Sequence, residues 1–151
     1  MDRTELVKNT TSDFLQNLGV SGVEIEVNYD KSNDRYLIVL KTEQPGSLIG
    51  YHGNTLSGMQ TFISQHLRSK TGEWINLSLD VNDYKERREQ NIKSLADDTV
   101  ERVLSTGQAH ILPPMTAFER RVVHLYLAEH PDVSTESQGE GRQRSVIISP
   151  K

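Results

Sequence analysis

Two glycines separated by two residues, Gly50 and Gly53, interrupt a segment that otherwise has the apolar spacing of helices. Ser47 to Gly50 has the pattern of one short helical turn, and four apolar residues after Gly53 share one helix face: Leu56, Met59, Ile63 and Leu67. Glycine permits a tight turn and lets another backbone approach closely. Such a turn exposes N–H groups at the start of the second helix, where the helix dipole favours an anion. The pattern therefore predicts a helix pair with an anion-receptive junction.

The sequence on either side of this junction adds one helix and three strands. Helical spacing of apolar residues predicts a helix over residues 3–18. Alternation of apolar and polar residues predicts strands over 23–29, 36–40 and 75–79. The resulting order is helix, strand, strand, helix, helix, strand, which is typical of a small α+β domain.

The second half of the chain begins with its longest periodic segment. Residues 83–106 have a single apolar stripe that ends at Gly107, and we expect this helix to bridge two domains. A further helix should begin at Thr116, which opens a Ser/Thr-x-x-Glu capping box, and should stop at His130-Pro131. Two strands joined by a hairpin turn should follow, over residues 133–137 and 145–148.

We therefore expect an α+β protein of two small domains. The first covers residues 1–81, and the second covers residues 82–151 and begins with the long connecting helix. With 151 residues, each domain is close to the lower size at which a core is self-sufficient.

Composition excludes several classes of function. The absence of cysteine rules out disulfides, thiolate zinc sites and a cysteine nucleophile. No apolar run is long enough to span a bilayer, and the N-terminal residues lack the pattern of a secretory signal, so we expect a cytoplasmic protein.

Charge is distributed unevenly along the chain. The net charge of −4 argues against indiscriminate binding of nucleic acid, which requires a basic surface. Residues 46–72 nevertheless contain Arg68 and Lys70 with no acidic residue, and residues 119–151 hold five acidic and five basic side chains. An anion would be bound in one of these two stretches.

A second candidate site is the pair Arg120 and His124. If Thr116 is the N-cap, these two side chains lie one turn apart on the same helix face. The main apolar stripe should lie on the opposite side and consist of Phe118, Val122, Leu125 and Tyr126. Arg120 and His124 would then point away from the core, either as a binding pair or as part of a solvated polar face.

The glycine pair alone is also typical of an ordinary tight turn, since this spacing arises by chance in about half of chains of this length. Its context resembles the core of type II KH domains, in which a GXXG loop between two helices clamps single-stranded RNA. The resemblance implies RNA contacts by six residues: Ile49, Gly50, Tyr51, His52, Gly53 and Asn54. Such loops usually carry Lys or Arg where this one has Tyr and His, so we expect weak or pH-sensitive binding here.

The segment from Glu119 to His124 looks like an R3H domain, with Pro113 to Met115 before it and Ser137 to Gly141 after it. Together with the KH-like half and the start of the connecting helix at Tyr84 to Arg88, the match covers nearly the whole chain. It resembles the bacterial Jag family of sporulation-associated KH and R3H proteins. The separate N-terminal Jag domain of many relatives has no counterpart in this sequence.

The resemblance implies binding of single-stranded RNA or DNA, a role as a post-transcriptional regulator or RNA chaperone, and links to cell elongation and division. A second KH protein is implied as a partner. A homodimer is a separate expectation, since the GXXG loop without a lysine could serve for dimerisation. In the R3H half, five residues are candidates for nucleic-acid contacts: Arg120, Arg121, His124, Arg142 and Arg144. An arginine can donate two N–H groups to one phosphate, and a histidine can donate to another oxygen or stack on a base.

Arg142 and Arg144 have the same parity in the predicted hairpin, so they should project from one face and extend the basic patch. Ion pairing of these two arginines with Glu136 or Glu140 is the alternative.

Two other classes of function compete with RNA binding. The chain has no nucleophile elbow, no phosphate-binding loop of the Walker type and no metal-ligand motif, so we expect no catalysis, no metal and no cofactor. A protein-interaction or dimerisation module with little RNA affinity is the stronger alternative, because the GXXG loop lacks a lysine.

Overall fold

The computed structural model describes residues 2–151, and its elements fall into two units, Met1–Lys85 and Glu86–Lys151. The domain boundary expected from the sequence, between residues 81 and 82, lies four residues before the boundary between the units (85 − 81). The first unit contains α1 (Arg3–Asn17), β1 (Glu24–Asp30), β2 (Arg35–Lys41), α2 (Gly46–Ile49), a 3₁₀ turn (Tyr51–Gly53), α3 (Asn54–Thr71) and β3 (Leu77–Val81).

A three-stranded sheet in the order β1-β2-β3 forms the centre of the first unit. Strands β1 and β2 are antiparallel, and β3 runs parallel to β2 with Ile38 opposite Leu79. The core is contributed by alternate residues of β2 and β3 and by one face of α3, including the predicted Leu56 and Ile63. The predicted order of elements in this half is confirmed, and β3 begins two residues later than expected.

The second unit is formed by α4 (Tyr84–Thr106), β4 (His110–Ile111), α5 (Ala117–Leu127), β5 (Val133–Gln138), a 3₁₀ turn (Gly141–Gln143) and β6 (Ser145–Pro150); the first two residues of α4 belong to the first unit. Its sheet has the order β4-β6-β5, with both pairs antiparallel. Strand β4 was not predicted, because two residues are too few to show alternation. It pairs with the middle of β6 through His110 and Ile111.

The helix α5 begins as the sequence indicates and buries a different face. Thr116 is the N-cap and Glu119 completes the capping box, but the buried residues are Glu119, Val123 and Leu127. Phe118 and Leu125, predicted as part of the main apolar stripe, are 68% and 67% exposed. That prediction was wrong, because this helix has two apolar stripes and only packing against α4 and the sheet decides which one is covered.

The end of α5 also differs from the prediction. The helix ends at Leu127, three residues before His130 (130 − 127), and a turn leads from there into β5. None of the helices within residues 2–151 has the apolar length needed to cross a membrane.

Candidate nucleic-acid interface

The junction between α2 and α3 is built on two glycines with left-handed φ values. Gly50 ends α2 with φ 70° and ψ −173°, and Gly53 is the N-cap of α3 with φ 78°. Gly53 has no side chain with which to cap α3, so the first-turn N–H groups of this 18-residue helix are not capped by a side chain. The predicted junction is therefore present, and its amides are of the kind that bind an anion.

Internal packing requires the same two glycines. A Cβ atom on Gly50 would lie 2.1 Å from Thr55 Oγ1 and 2.7 Å from Thr55 Cβ. A Cβ atom on Gly53 would lie 3.0 Å from the ring of Tyr84. From the sequence, we expected these glycines to let a ligand approach the backbone. The structure shows that they also let the turn pack closely against Thr55 and Tyr84.

The remaining residues of the junction differ in exposure. Tyr51 is 76% exposed, and its ring stacks on His52 with 3.9 Å between the ring centroids. His52 has a left-handed backbone with φ 52°. Ile49 packs against the core of the first unit, while Asn54 is exposed. Tyr51 thus offers an exposed aromatic ring, and Ile49 anchors the turn to the core of the first unit.

In the second unit, Arg120 and His124 are both half-buried on α5. The Arg120 guanidinium donates from Nη1 to the Met115 carbonyl at 2.8 Å. His124 Nδ1 lies 2.7 Å from Thr135 Oγ1, and its Nε2 lies 2.8 Å from Ser137 Oγ. Both ring nitrogens of His124 are therefore engaged by hydroxyls of β5, which fixes the imidazole and ties α5 to the sheet.

The electrostatics of His124 follow from this position. Burial lowers the pKa of His124, and the neighbouring Arg120 charge lowers it further. The imidazole is consequently neutral near pH 7, and the positive charge of the pair is that of Arg120. In this structure His124 positions the helix against β5, and its predicted contact with nucleic acid stays a prediction.

We expect the second unit to lose stability as the pH falls through about 6.5, because the unfolded chain binds a proton at His124 more readily than the folded chain does. Urea unfolding measured between about pH 8 and pH 5.5 should show a smaller pH dependence for His124→Gln than for the unsubstituted chain. The other four histidines are present in both proteins and cancel in the comparison. Equal pH dependence of the two proteins would contradict the assignment.

Arg121 is exposed on α5, on the helix face that also carries Phe118 and Leu125. The strand parity expected for Arg142 and Arg144 was wrong, because Arg142 lies in a 3₁₀ turn and Arg144 follows it. Their contact with nucleic acid stays a prediction. Arg144 Nη1 donates to the Gly139 carbonyl at 3.1 Å, which holds the connection between β5 and β6.

The alternative of an ion pair between Arg142 or Arg144 and a glutamate of the hairpin is also not observed. Within residues 2–151, neither arginine lies within ion-pair distance of Glu136 or Glu140. Arg142 is exposed and Arg144 is half-buried.

Comparison with known proteins identifies the family. The model of the R3H domain matches residues 90–150. The "RNA-binding protein KhpB" of Clostridium symbiosum is 32% identical over 152 aligned positions, which cover 99% of this chain and 68% of that protein. The chain belongs to the KhpB family, also called the Jag family. The predicted family resemblance is thereby confirmed.

Other KhpB proteins are similar over most of this chain. The "RNA-binding protein KhpB" of Lactiplantibacillus plantarum is 34% identical over 128 residues, which cover 85% of this chain and 40% of that protein. The protein of the same name from Bacillus subtilis is 31% identical over 130 residues, 85% of this chain and 62% of that protein. The chain thus spans about two fifths of the L. plantarum relative and about two thirds of the other two.

Sequence reasoning missed one buried pair next to the R3H helix of this KhpB-family chain. Arg88 Nε donates to Glu119 Oε1 at 2.7 Å, and the Glu119 side chain is 5% exposed. The other carboxylate oxygen accepts from the Thr116 backbone N–H at 2.9 Å. The capping box identified Glu119 as a local helix signal, but the pairing with a residue 31 positions away had no local signal.

The hydroxyls that hold His124 were also missed. Thr135 and Ser137 stand two residues apart in β5 and so face the same side of the strand. That alternation was visible in the sequence, yet nothing in it indicated that α5 would lie against this face.

Proposed function

We propose that this chain binds single-stranded RNA and that Arg120 of the R3H unit makes a central phosphate contact. The observation that carries the proposal is that the Arg120 guanidinium is held at the start of α5 by one hydrogen bond to Met115. A guanidinium has five N–H donors, so the other donors remain for a ligand. A cation held in place in this way loses little side-chain freedom when it binds.

The surroundings of Arg120 support an anionic ligand. Both ring nitrogens of the neutral His124 are engaged by Thr135 and Ser137. The imidazole therefore does not compete with a phosphate for the N–H donors of Arg120. Exposed Arg121 supplies a second positive charge on the same helix. The planar donor fork of arginine matches two phosphate oxygens at once.

For the first unit, we propose a type II KH domain over residues 1–81, followed by an R3H domain over residues 82–151. The proposal for the first domain is supported by the order α1-β1-β2-α2-α3-β3 and by the glycine junction ahead of α3. The uncapped amides of α3 would take a phosphate, and exposed Tyr51 would stack on a base or sugar. The same proposal includes contacts by Ile49, His52 and Asn54.

The proposed function is binding and not catalysis, since the R3H match and the names of the relatives concern nucleic-acid binding. We include in it a role as a cytoplasmic post-transcriptional regulator or RNA chaperone linked to cell elongation and division. A second KH protein and a second copy of this chain are the proposed protein partners.

The proposal is tested by fluorescence anisotropy with a labelled single-stranded RNA at about 50 and about 200 mM salt. Removing two guanidinium groups in Arg120→Ala/Arg121→Ala should weaken binding at least about tenfold at the lower salt. The slope of log affinity against log salt should become shallower by about 0.7 for each phosphate that the variant leaves without a cation.

Arg102→Ala is the matched control, because Arg102 is an exposed arginine of α4 and its replacement should leave affinity nearly unchanged. Absence of RNA binding by the unsubstituted chain at the lower salt would overturn the proposal. If that absence is accompanied by self-association in analytical ultracentrifugation, the chain is an interaction module.

A further inference from the structure

The only tryptophan of the chain, Trp74, lies on the surface between the end of α3 and the start of β3. It is 59% exposed, so its ring is accessible to a ligand. The Arg68 guanidinium lies over its ring, with Cζ 5.5 Å from the ring centroid. This cation–π contact orients the indole and places a positive charge beside it.

A small cavity of about 190 Å³ opens beside Trp74. Its lining combines the indole with short polar side chains of α3 and of the segment before β3, including Thr61, Ser64 and Asn76. Sites for drug-sized ligands are usually about 300–1,000 Å³. The size therefore suits a single flat ring, and the polar lining suits a ring with hydrogen-bonding edges.

Two lining side chains have unused hydrogen-bonding capacity. Ser64 is 8% exposed, and within residues 2–151 its hydroxyl has no hydrogen-bond partner. Asn76 donates from Nδ2 to the Asp34 carbonyl at 3.4 Å, which leaves its Oδ1 as an acceptor. The Ser64 hydroxyl and the Asn76 amide oxygen are therefore able to hydrogen-bond the polar edge of a ligand in the cavity.

The charge around the cavity favours an anionic polymer. Arg68 and Lys70 stand in the stretch 46–72, which contains no acidic residue. The nearest carboxylate in sequence, Glu73, forms an ion pair with Arg3. Arg68 therefore places a positive charge against the indole in a chain of net charge −4.

We propose that this cavity is a binding site for one unpaired nucleobase of single-stranded RNA, which stacks on Trp74. Ser64 and Asn76 contact the polar edge of the base, and Arg68 contacts the adjoining phosphate. The site is separate from the glycine junction, because the α3 residues that line it, Gln60, Thr61 and Ser64, lie about 9 to 15 Å along the helix axis from Asn54. The inference rests on the proposed RNA-binding function and adds a stacking site to it.

The test uses the full chain and a short single-stranded RNA of mixed sequence. Since Trp74 is the only tryptophan, its emission reports on this site alone, and stacking should quench it as RNA is added. Base–aromatic stacking is strong enough that Trp74→Ala should weaken anisotropy-measured affinity about 5- to 100-fold. Trp74→Phe should retain most of the affinity, because its ring still stacks.

Phe62→Leu is the matched control, since Phe62 is an exposed aromatic residue of the same helix that does not line the cavity, and leucine keeps an apolar side chain against Phe14. Far-UV circular dichroism establishes that each variant is folded. RNA binding that depends on Arg120 while Trp74 emission and Trp74→Ala affinity stay unchanged would overturn the stacking site and leave the proposed function standing. Absence of any RNA binding would overturn both.

A protein occupant would give a different result. If Trp74 emission shifts with protein concentration in the absence of RNA, and Trp74→Ala abolishes self-association, the surface is a contact between copies of this chain. That outcome would also overturn the nucleobase site.

Discussion

Replacing Gly50 by alanine is expected to destabilise the first unit by about 3 kcal/mol or more. The backbone of Gly50, with φ 70° and ψ −173°, lies in a region that is essentially confined to glycine. The new Cβ would also meet Thr55 Oγ1 at 2.1 Å and the Thr55 backbone nitrogen at 3.0 Å. Because part of this contact is with backbone, rotation of the Thr55 side chain cannot relieve it fully.

Urea unfolding followed by Trp74 emission measures this effect, because Trp74 belongs to the first unit. Gly58→Ala is the matched control: Gly58 lies within α3 and a Cβ there meets no atom within 4 Å. That substitution should stabilise the helix by about 0.5–1 kcal/mol. In Gly50→Ala/Thr55→Ala, part of the stability should be recovered. A Gly50→Ala chain as stable as the unsubstituted one would show that the junction adopts another conformation.

Replacing Glu119 by alanine is expected to destabilise the second unit by about 3 kcal/mol. The substitution removes the partner of the half-buried Arg88 and the acceptor of the Thr116 N–H at once. Breaking a buried ion pair from one side leaves the other charge without compensation. The exposure of the Arg88 side chain, 29%, lets water offset part of that cost.

A double-mutant cycle with Arg88→Ala separates the free energy of the Arg88–Glu119 ion pair from that of the capping bond between Glu119 and Thr116. Far-UV circular dichroism in urea gives the free energies of unfolding, and hydrogen exchange localises the destabilisation to α5. Glu129→Ala, an exposed glutamate just beyond the end of α5, should change stability by less than about 0.5 kcal/mol. Additive effects of Arg88→Ala and Glu119→Ala would mean that the two side chains are not coupled in solution.

The elements of the candidate interface were predictable where the determining contacts are local. The capping box at Thr116 involves residues three positions apart, and Gly107 ends α4 with its own N–H bound to the Val103 carbonyl. The glycine junction is likewise a matter of a few consecutive dihedral angles. Each of these signals operates within one helical turn, so the sequence carries it in full.

The predictions that failed concern contacts between distant elements. Residues of α5 form two apolar stripes, and the one containing Phe118 and Leu125 was chosen as the core although Val123 and Leu127 are buried. Arg142 was given the parity of an extended hairpin strand, but it lies in a 3₁₀ turn. In both cases the local sequence pattern is compatible with two arrangements. Packing against residues that are distant in the sequence decides which arrangement forms.

The sequence by itself determined the family, the order of helices and strands, and the presence of arginine and histidine one turn apart on α5. Only the tertiary structure decided which groups those side chains contact. It placed His124 between two hydroxyls of β5 and Glu119 opposite Arg88, and it opened a cavity beside Trp74. The physical reason is that helix and turn signals arise from neighbouring residues, whereas burial, pKa shifts and cavities arise where separate elements meet.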